Sequence, residues 1–160
     1  DLFYSGTAAA AREAALLGVP AIAVSRLIQG ERPVDWDVLG RHVNKVVCRM
    51  TKSEFRLPDG HFWNINFPAV TGENYPEELT IAPHGTQPHA VGFRIVEQEK
   101  DMEILEYSAA YRDRKRTSEC DVHHVFEQRI VATPVGPSLT SVPEFPMQSL
   151  VSLLNATCAD

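Results

Sequence analysis

Cysteine is sparse and scattered. Cys48, Cys120 and Cys158 form no Cys-x-x-Cys pair, which excludes a zinc knuckle or a dithiol redox motif as an organising element. Free thiols fit a reducing compartment, so a cytoplasmic location is the expectation. No apolar run approaches the roughly 20 residues that a membrane-spanning helix needs, and no membrane partner is expected. No secretory signal is visible either. Positive charge is also in short supply. Lys and Arg number 15 against 21 Asp and Glu, a formal net charge of -6, whereas binding to a nucleic-acid polymer favours a basic face. The basic cluster Arg112, Arg114, Lys115 and Arg116, interrupted by Asp113, reads as a solvated loop. Internal repeats are absent, and the only low-complexity tract is a run of alanines. What remains is 160 residues, 44% of them hydrophobic, enough for one domain with a core.

The start of the chain is the most informative stretch. Leu2, Phe3 and Tyr4 lead into Ser5-Gly6-Thr7 and then Ala8 to Ala11. This pattern predicts a strand or loop that turns into a helix. The free N–H groups and the positive end of a helix form a ready anion site. Gly6 allows close approach to the backbone, and Ser5 and Thr7 add hydroxyls. Simple N-capping is the other reading of the same residues. Gly18 and Pro20 stop the helix. Ala21 to Ser25 is a short apolar run suited to a strand of a parallel sheet. Residues 1 to 25 therefore read as half of a βαβ unit, with the turn on the side where α/β folds bind ligands.

Further elements follow from periodicity and punctuation. Residues 26 to 34 read as loop. Asp35 is a candidate N-cap for a helix from Trp36 to Met50, where Leu39, Val43, Val46, Val47 and Met50 recur at helical spacing. His42 lies beside that stripe and reads as surface or core edge. The turn Leu57-Pro58-Asp59-Gly60 delivers a strand from His61 to Phe67, which Pro68 ends. Alternation puts Asn64 and Asn66 on one face of it, either fixing loops or reaching a ligand. Residues 71 to 88 read as irregular. Val91 to Gln98 and Met102 to Tyr111 read as a β-hairpin whose mix of apolar and charged residues suits an interface. Asp121 is expected to cap a short helix through His123, His124 and Val125. A strand from Arg129 to Val135 comes next, then a loop, then a last helix from Met147 to Ala156 with Met147, Leu150, Val151 and Leu154 on one stripe.

Three segments resemble one family. Tyr4-Ser5-Gly6-Thr7-Ala8-Ala9-Ala10 with Ala15 to Ser25 is similar to the SurE family of survival-protein nucleotidases, metal-dependent phosphatases of nucleoside monophosphates. Trp63-Asn64-Ile65-Asn66-Phe67-Pro68 resembles that family's Leu-Asn-Val-Asn-x-Pro strand. Asp121, followed by Ile130 to Val135, resembles its Thr-Asp pair and Val-Ser-x-Thr-Pro-Leu strand. The matches keep the family's order and span most of the chain, with the middle, about 71 to 110, the poorest.

The resemblance implies an α/β fold, a Rossmann-like three-layer sheet with a β-hairpin excursion and a C-terminal helix. It implies that residues 1–160 are the C-terminal part of a single SurE-like domain, with an oligomerisation hairpin at 91–111 and a homodimer or homotetramer as the assembly. The implied activity is that of a 5'/3'-nucleotidase of the acid-phosphatase type, a phosphomonoesterase acting by water attack assisted by a divalent metal, Mn²⁺ or Mg²⁺. Ser5, Gly6 and Thr7 are then phosphate contacts and Asn66 an active-site neighbour. The family's metal ligands are an Asp-Asp pair, a loop Ser and an Asn, all upstream of the turn and none matched here. The catalytic residues and metal ligands are therefore expected upstream of residue 1, in a longer protein.

Two other classes stay open on the residues alone. The chain could be a non-catalytic, oligomer-forming fragment that keeps an anion pocket. Ser5, Asp121 and His123 follow the chain order of an α/β-hydrolase triad, but Phe3-Tyr4-Ser5-Gly6-Thr7 lacks the Gly-x-Ser-x-Gly elbow. A metal site at Asp121, His123 and His124 is disfavoured, because adjacent histidines point in different directions.

Overall fold

A computed structural model describes residues 2–30, 33–72, 74–88, 91–100, 102–108 and 115–137. The described chain runs α1 (Gly6–Leu16), β1 (Ile22–Arg26), α2 (Trp36–Met50), a 3₁₀ turn (Ser53–Phe55), β2 (Phe62–Phe67), β3 (Leu79–Ile81), β4 (Phe93–Glu99), β5 (Met102–Tyr107), α3 (Asp121–Phe126) and β6 (Ile130–Val135). Four strands form one sheet in the order β1-β2-β6-β3. β1 runs parallel to β2 and β3 parallel to β6, but β2 and β6 are antiparallel. The expected parallel pairing therefore holds within each pair of strands and reverses at the centre of the sheet.

Helices cover both faces, which makes the three-layer α/β architecture expected from the sequence. On one face Val38, Leu39, Val46 and Met50 of α2 pack on Trp63, Ile65, Phe67, Ile130 and Ala132. Amphipathic spacing fixes this side of α2, and Asp35 caps it by accepting from the Val38 N–H at 3.0 Å. Trp63 crosses to the 3₁₀ turn, its indole N–H donating to the Phe55 carbonyl at 2.8 Å. On the other face Ala8, Ala11 and Ala15 of α1 lie against Ala23 and Phe62, so small residues let α1 approach the sheet closely. Val125 of α3 packs with Val131 and Ala82 on that same face.

Several expectations shift. Residues 71–88, read as irregular, contain β3, a three-residue strand held by pairing Leu79–Ile81 with Ile130–Ala132. The first strand begins at Ile22 and the second at Phe62, one residue later than expected. Cys120, not Asp121, occupies the N-cap position of α3. His42 stacks on Tyr75, with ring centroids 5.0 Å apart, at the edge of the core. The expected helix 147–156 and the basic residues Arg112 and Arg114 lie outside the described residues.

The hairpin is present as a separate two-stranded sheet, with Phe93 opposite Tyr107 and Ile95 opposite Leu105. A register irregularity separates Ile95 from Glu97. Every residue of both strands is exposed, apolar ones included.

Candidate active site

The two faces of the central strands differ in chemistry. Ile22, Val24, Trp63 and Ile65 turn toward α2. Alternation sends Ser25, Asn64 and Asn66 to the opposite face, and pairing sets Ser25 beside Asn66 and Asn64 beside Thr133. There a cavity of about 390 Å³ opens between the start of α1 and α3. Its polar lining is Ser5, Ser25, Arg26, Asn64, Asn66, His84 and Asp121. Leu27, Ile28 and Phe126 contribute an apolar wall. It lies by the carboxyl ends of β1 and β2, the usual ligand position of an open α/β sheet.

Ser5 sits where α1 begins. Its hydroxyl accepts from the Ala8 N–H at 3.1 Å, so it caps the helix and lines the cavity at once. Gly6 and Thr7 are exposed in the first helical turn and do not line the cavity. A Cβ at Gly6 would meet nothing within 4 Å, so the backbone there is open to an approaching group. Asn66 lines the cavity together with Asn64. Thr133 is buried beside Asn64, and its hydroxyl has no hydrogen-bond partner among the described residues.

Arg26 ends β1 and is held by three hydrogen bonds. Its guanidinium donates to Tyr75 Oη at 3.0 Å, to the Leu27 carbonyl at 3.1 Å and to the Val70 carbonyl at 3.0 Å. These bonds tie the loop after β2 to the cavity rim. Arg116 lies over the Phe126 ring at 4.3 Å from its centroid, a cation–π contact that places positive charge behind the apolar wall.

The sequence reading missed one pair. Asp121 meets His84, not His123: Nδ1 of His84 is 3.1 Å from Oδ2 of Asp121. The other carboxylate oxygen accepts from the N–H groups of Gly85 at 2.8 Å and Val122 at 2.7 Å. Burial by itself would raise the Asp121 carboxyl, but the bonds from His84, Gly85 and Val122 outweigh it and hold the group below the ordinary carboxylate value. Desolvation, then the charge of Arg129, lowers His124 from the usual histidine range. No local signal links positions 84 and 121, because the contact is made only when β3 and α3 dock.

Among the described residues no group of three or more His, Cys, Asp or Glu side chains is placed to hold a metal ion. Asp121, the one buried carboxylate among them, already accepts from two amides and the imidazole. The described residues therefore do not fit a divalent-cation site. Among the described residues no helix is long and apolar enough to cross a membrane.

The family model described as Survival protein SurE matches residues 1–90. A putative 5'-nucleotidase of Nostoc sp. is 32% identical over 134 residues, covering 83% of this chain and 56% of the relative. The 5'-nucleotidase SurE of Stenotrophomonas maltophilia strain K279a is 28% identical over 140 residues, covering 88% of this chain and 53% of the relative. The crystal structure of the SurE protein from Aquifex aeolicus superposes with a TM-score of 0.70 at 18% identity, over 96% of this chain and 59% of that one. The chain thus spans a little over half the length of the relatives it matches.

Proposed function

Since this chain belongs to the SurE family, we propose that it contributes the C-terminal part of a phosphomonoesterase that hydrolyses nucleoside monophosphates. The observation that carries the reading is the joining of one capped helix start to one polar sheet face across a single cavity. Ser5, Ser25, Asn64 and Asn66 come from three elements yet share that space. A nucleotide suits it, with the phosphate at the Ser5-Gly6-Thr7 turn and the base along Leu27, Ile28 and Phe126. In this arrangement the free amides of the first turn and the hydroxyls of Ser5 and Thr7 donate to phosphate oxygens. Their donation grows stronger as negative charge builds on those oxygens. Asn66 adds an amide beside them.

The Mn²⁺ or Mg²⁺ dependence implied by the resemblance is assigned to residues other than those of this cavity. The test is phosphate release from a panel of nucleoside monophosphates by the complete polypeptide, with Mn²⁺ or Mg²⁺ and then with EDTA. Metal-dependent release that EDTA abolishes is the expected result. Release that survives EDTA favours a metal-free hydrolase, and no release from folded, metal-loaded protein favours a non-catalytic anion-binding role.

The hairpin supports a proposal about assembly. A two-stranded sheet is marginal in water on its own, yet Phe93 is 60% exposed and Tyr107 59%. We propose that β4 and β5 pack on another copy of the chain in a homodimer or homotetramer. Ile95→Glu combined with Leu105→Glu then places charge at the centre of that surface. Light scattering is expected to record a fall to a smaller species, and an unchanged mass would move the interface elsewhere.

A further inference from the structure

The cavity contains an imidazole–carboxylate pair that phosphate binding does not use. His84 follows β3, Asp121 opens α3, and both line the space shared by Ser5, Asn64 and Asn66. Asp121 is rigidly held, because Gly85 and Val122 donate backbone N–H groups to its Oδ1 and its own N–H donates to the Pro83 carbonyl at 2.9 Å. The turn after β3 is packed closely on it: a Cβ at Gly85 would lie 3.3 Å from Asp121 Oδ1 and 3.3 Å from Cys120 Sγ. A carboxylate fixed in this way accepts a hydrogen bond from the Nδ1–H of an imidazole and so sets its tautomer and orientation. The Asp121 side chain is only 6% exposed while that of His84 is 35% exposed. The pair therefore has a buried anchor and an accessible ring.

The other polar groups around the cavity cannot exchange a proton in the same way. Arg26 stays charged and donates to Tyr75, Leu27 and Val70. Asn64 and Asn66 are amides, and Ser5 and Ser25 are aliphatic alcohols that hold their proton in neutral water. Histidine is the residue type that gives and takes a proton in neutral water.

Building on the phosphomonoesterase reading, we infer that His84 is the general acid for the departing alcohol, with Asp121 as its positioning residue. A sugar alkoxide is a poor leaving group and gains most from protonation. As the oxygen of water bonds to phosphorus, the bond from phosphorus to the sugar oxygen breaks. The electron pair stays on that oxygen, which takes the proton from Nε2 of His84. The proton lost by the attacking water passes to solvent, and His84 is reprotonated from solvent. The products are the free alcohol and inorganic phosphate.

The test compares two leaving groups in the complete polypeptide. One substrate is a nucleoside 5'-monophosphate; the other is p-nitrophenyl phosphate, whose phenolate leaves without a proton. His84→Gln is expected to lower kcat on the nucleotide by about 10²–10⁴-fold, the usual worth of general acid catalysis, with KM little moved. The loss on p-nitrophenyl phosphate is expected to be smaller by at least about tenfold, because no proton is needed there. Asp121→Asn should reproduce part of the same leaving-group-dependent loss. Thermal unfolding checks that each variant is folded, and His84→Asn replaces a Gln variant that is not. Equal losses on both substrates, or no loss on the nucleotide, would overturn the assignment while leaving the phosphomonoesterase intact. A folded, metal-loaded wild type that hydrolyses neither substrate would instead sink the underlying reading and the general acid with it.

Discussion

Replacing Ser5 with alanine and, separately, with glycine lowers kcat/KM on a nucleoside monophosphate by about 10²-fold in both variants, the usual loss for one donor to a developing oxyanion. The two variants differ in stability. Ser5 Oγ accepts from the Ala8 N–H at 3.1 Å, so removal of the cap by alanine costs about 1 kcal/mol, whereas glycine at the same position costs only a few tenths. The comparison thus separates the two roles of one hydroxyl. If the glycine variant keeps wild-type kinetics, Ser5 is a cap and the phosphate site lies elsewhere along the cavity. Thr7→Ala is expected to lower turnover in the same direction, because Thr7 stands in the first turn of α1.

Asp121→Ala lowers the free energy of unfolding by about 3 kcal/mol in urea titration, as buried donors lose their acceptor. The Gly85 and Val122 N–H groups and the His84 ring all turn to this carboxylate, which is 4% exposed as a residue. The charge has its own signature. The folded-state carboxyl is held below its ordinary value, so the folded state prefers the ionised form more than the unfolded chain does. That contribution is complete above the unfolded value of about 3.9 and fades as pH falls through the lower folded value. The stability gap between wild type and Asp121→Asn is therefore expected to be constant near neutral pH and to narrow in acid below about pH 4. A gap that stays constant through that range would mean that the carboxylate charge does not stabilise the fold.

Legibility tracked the range of the forces involved. α2 runs from Trp36 to Met50, as its apolar period and Asp35 cap predict, because both act within a few residues. β2 carries Asn64 and Asn66 on one face for an equally local reason, the two-residue period of a strand. β3 was not legible. Leu79-Thr80-Ile81 is too short to carry a period, and it becomes a strand only because β6 supplies hydrogen-bond partners. The capping expectation at Asp121 was close in sequence but wrong in partner. Its carboxylate accepts from Val122 within α3, yet it also reaches Gly85 and His84, over thirty residues away.

Local features of the chain were enough for the helix start at Ser5, the alanine face of α1, the amphipathic α2, the hairpin and the amide-bearing strand. Each depends on side-chain spacing, backbone propensity or a cap, which neighbouring residues settle among themselves. Long-range packing set the rest: β6 runs against β2, the α1 start and the Asn64–Asn66 face enclose one cavity, and His84 joins Asp121 within it. Those outcomes come from docking elements distant in the chain, where burial of Ile65, Phe67 and Val131 to essentially zero exposure supplies a driving force that no short window of sequence contains.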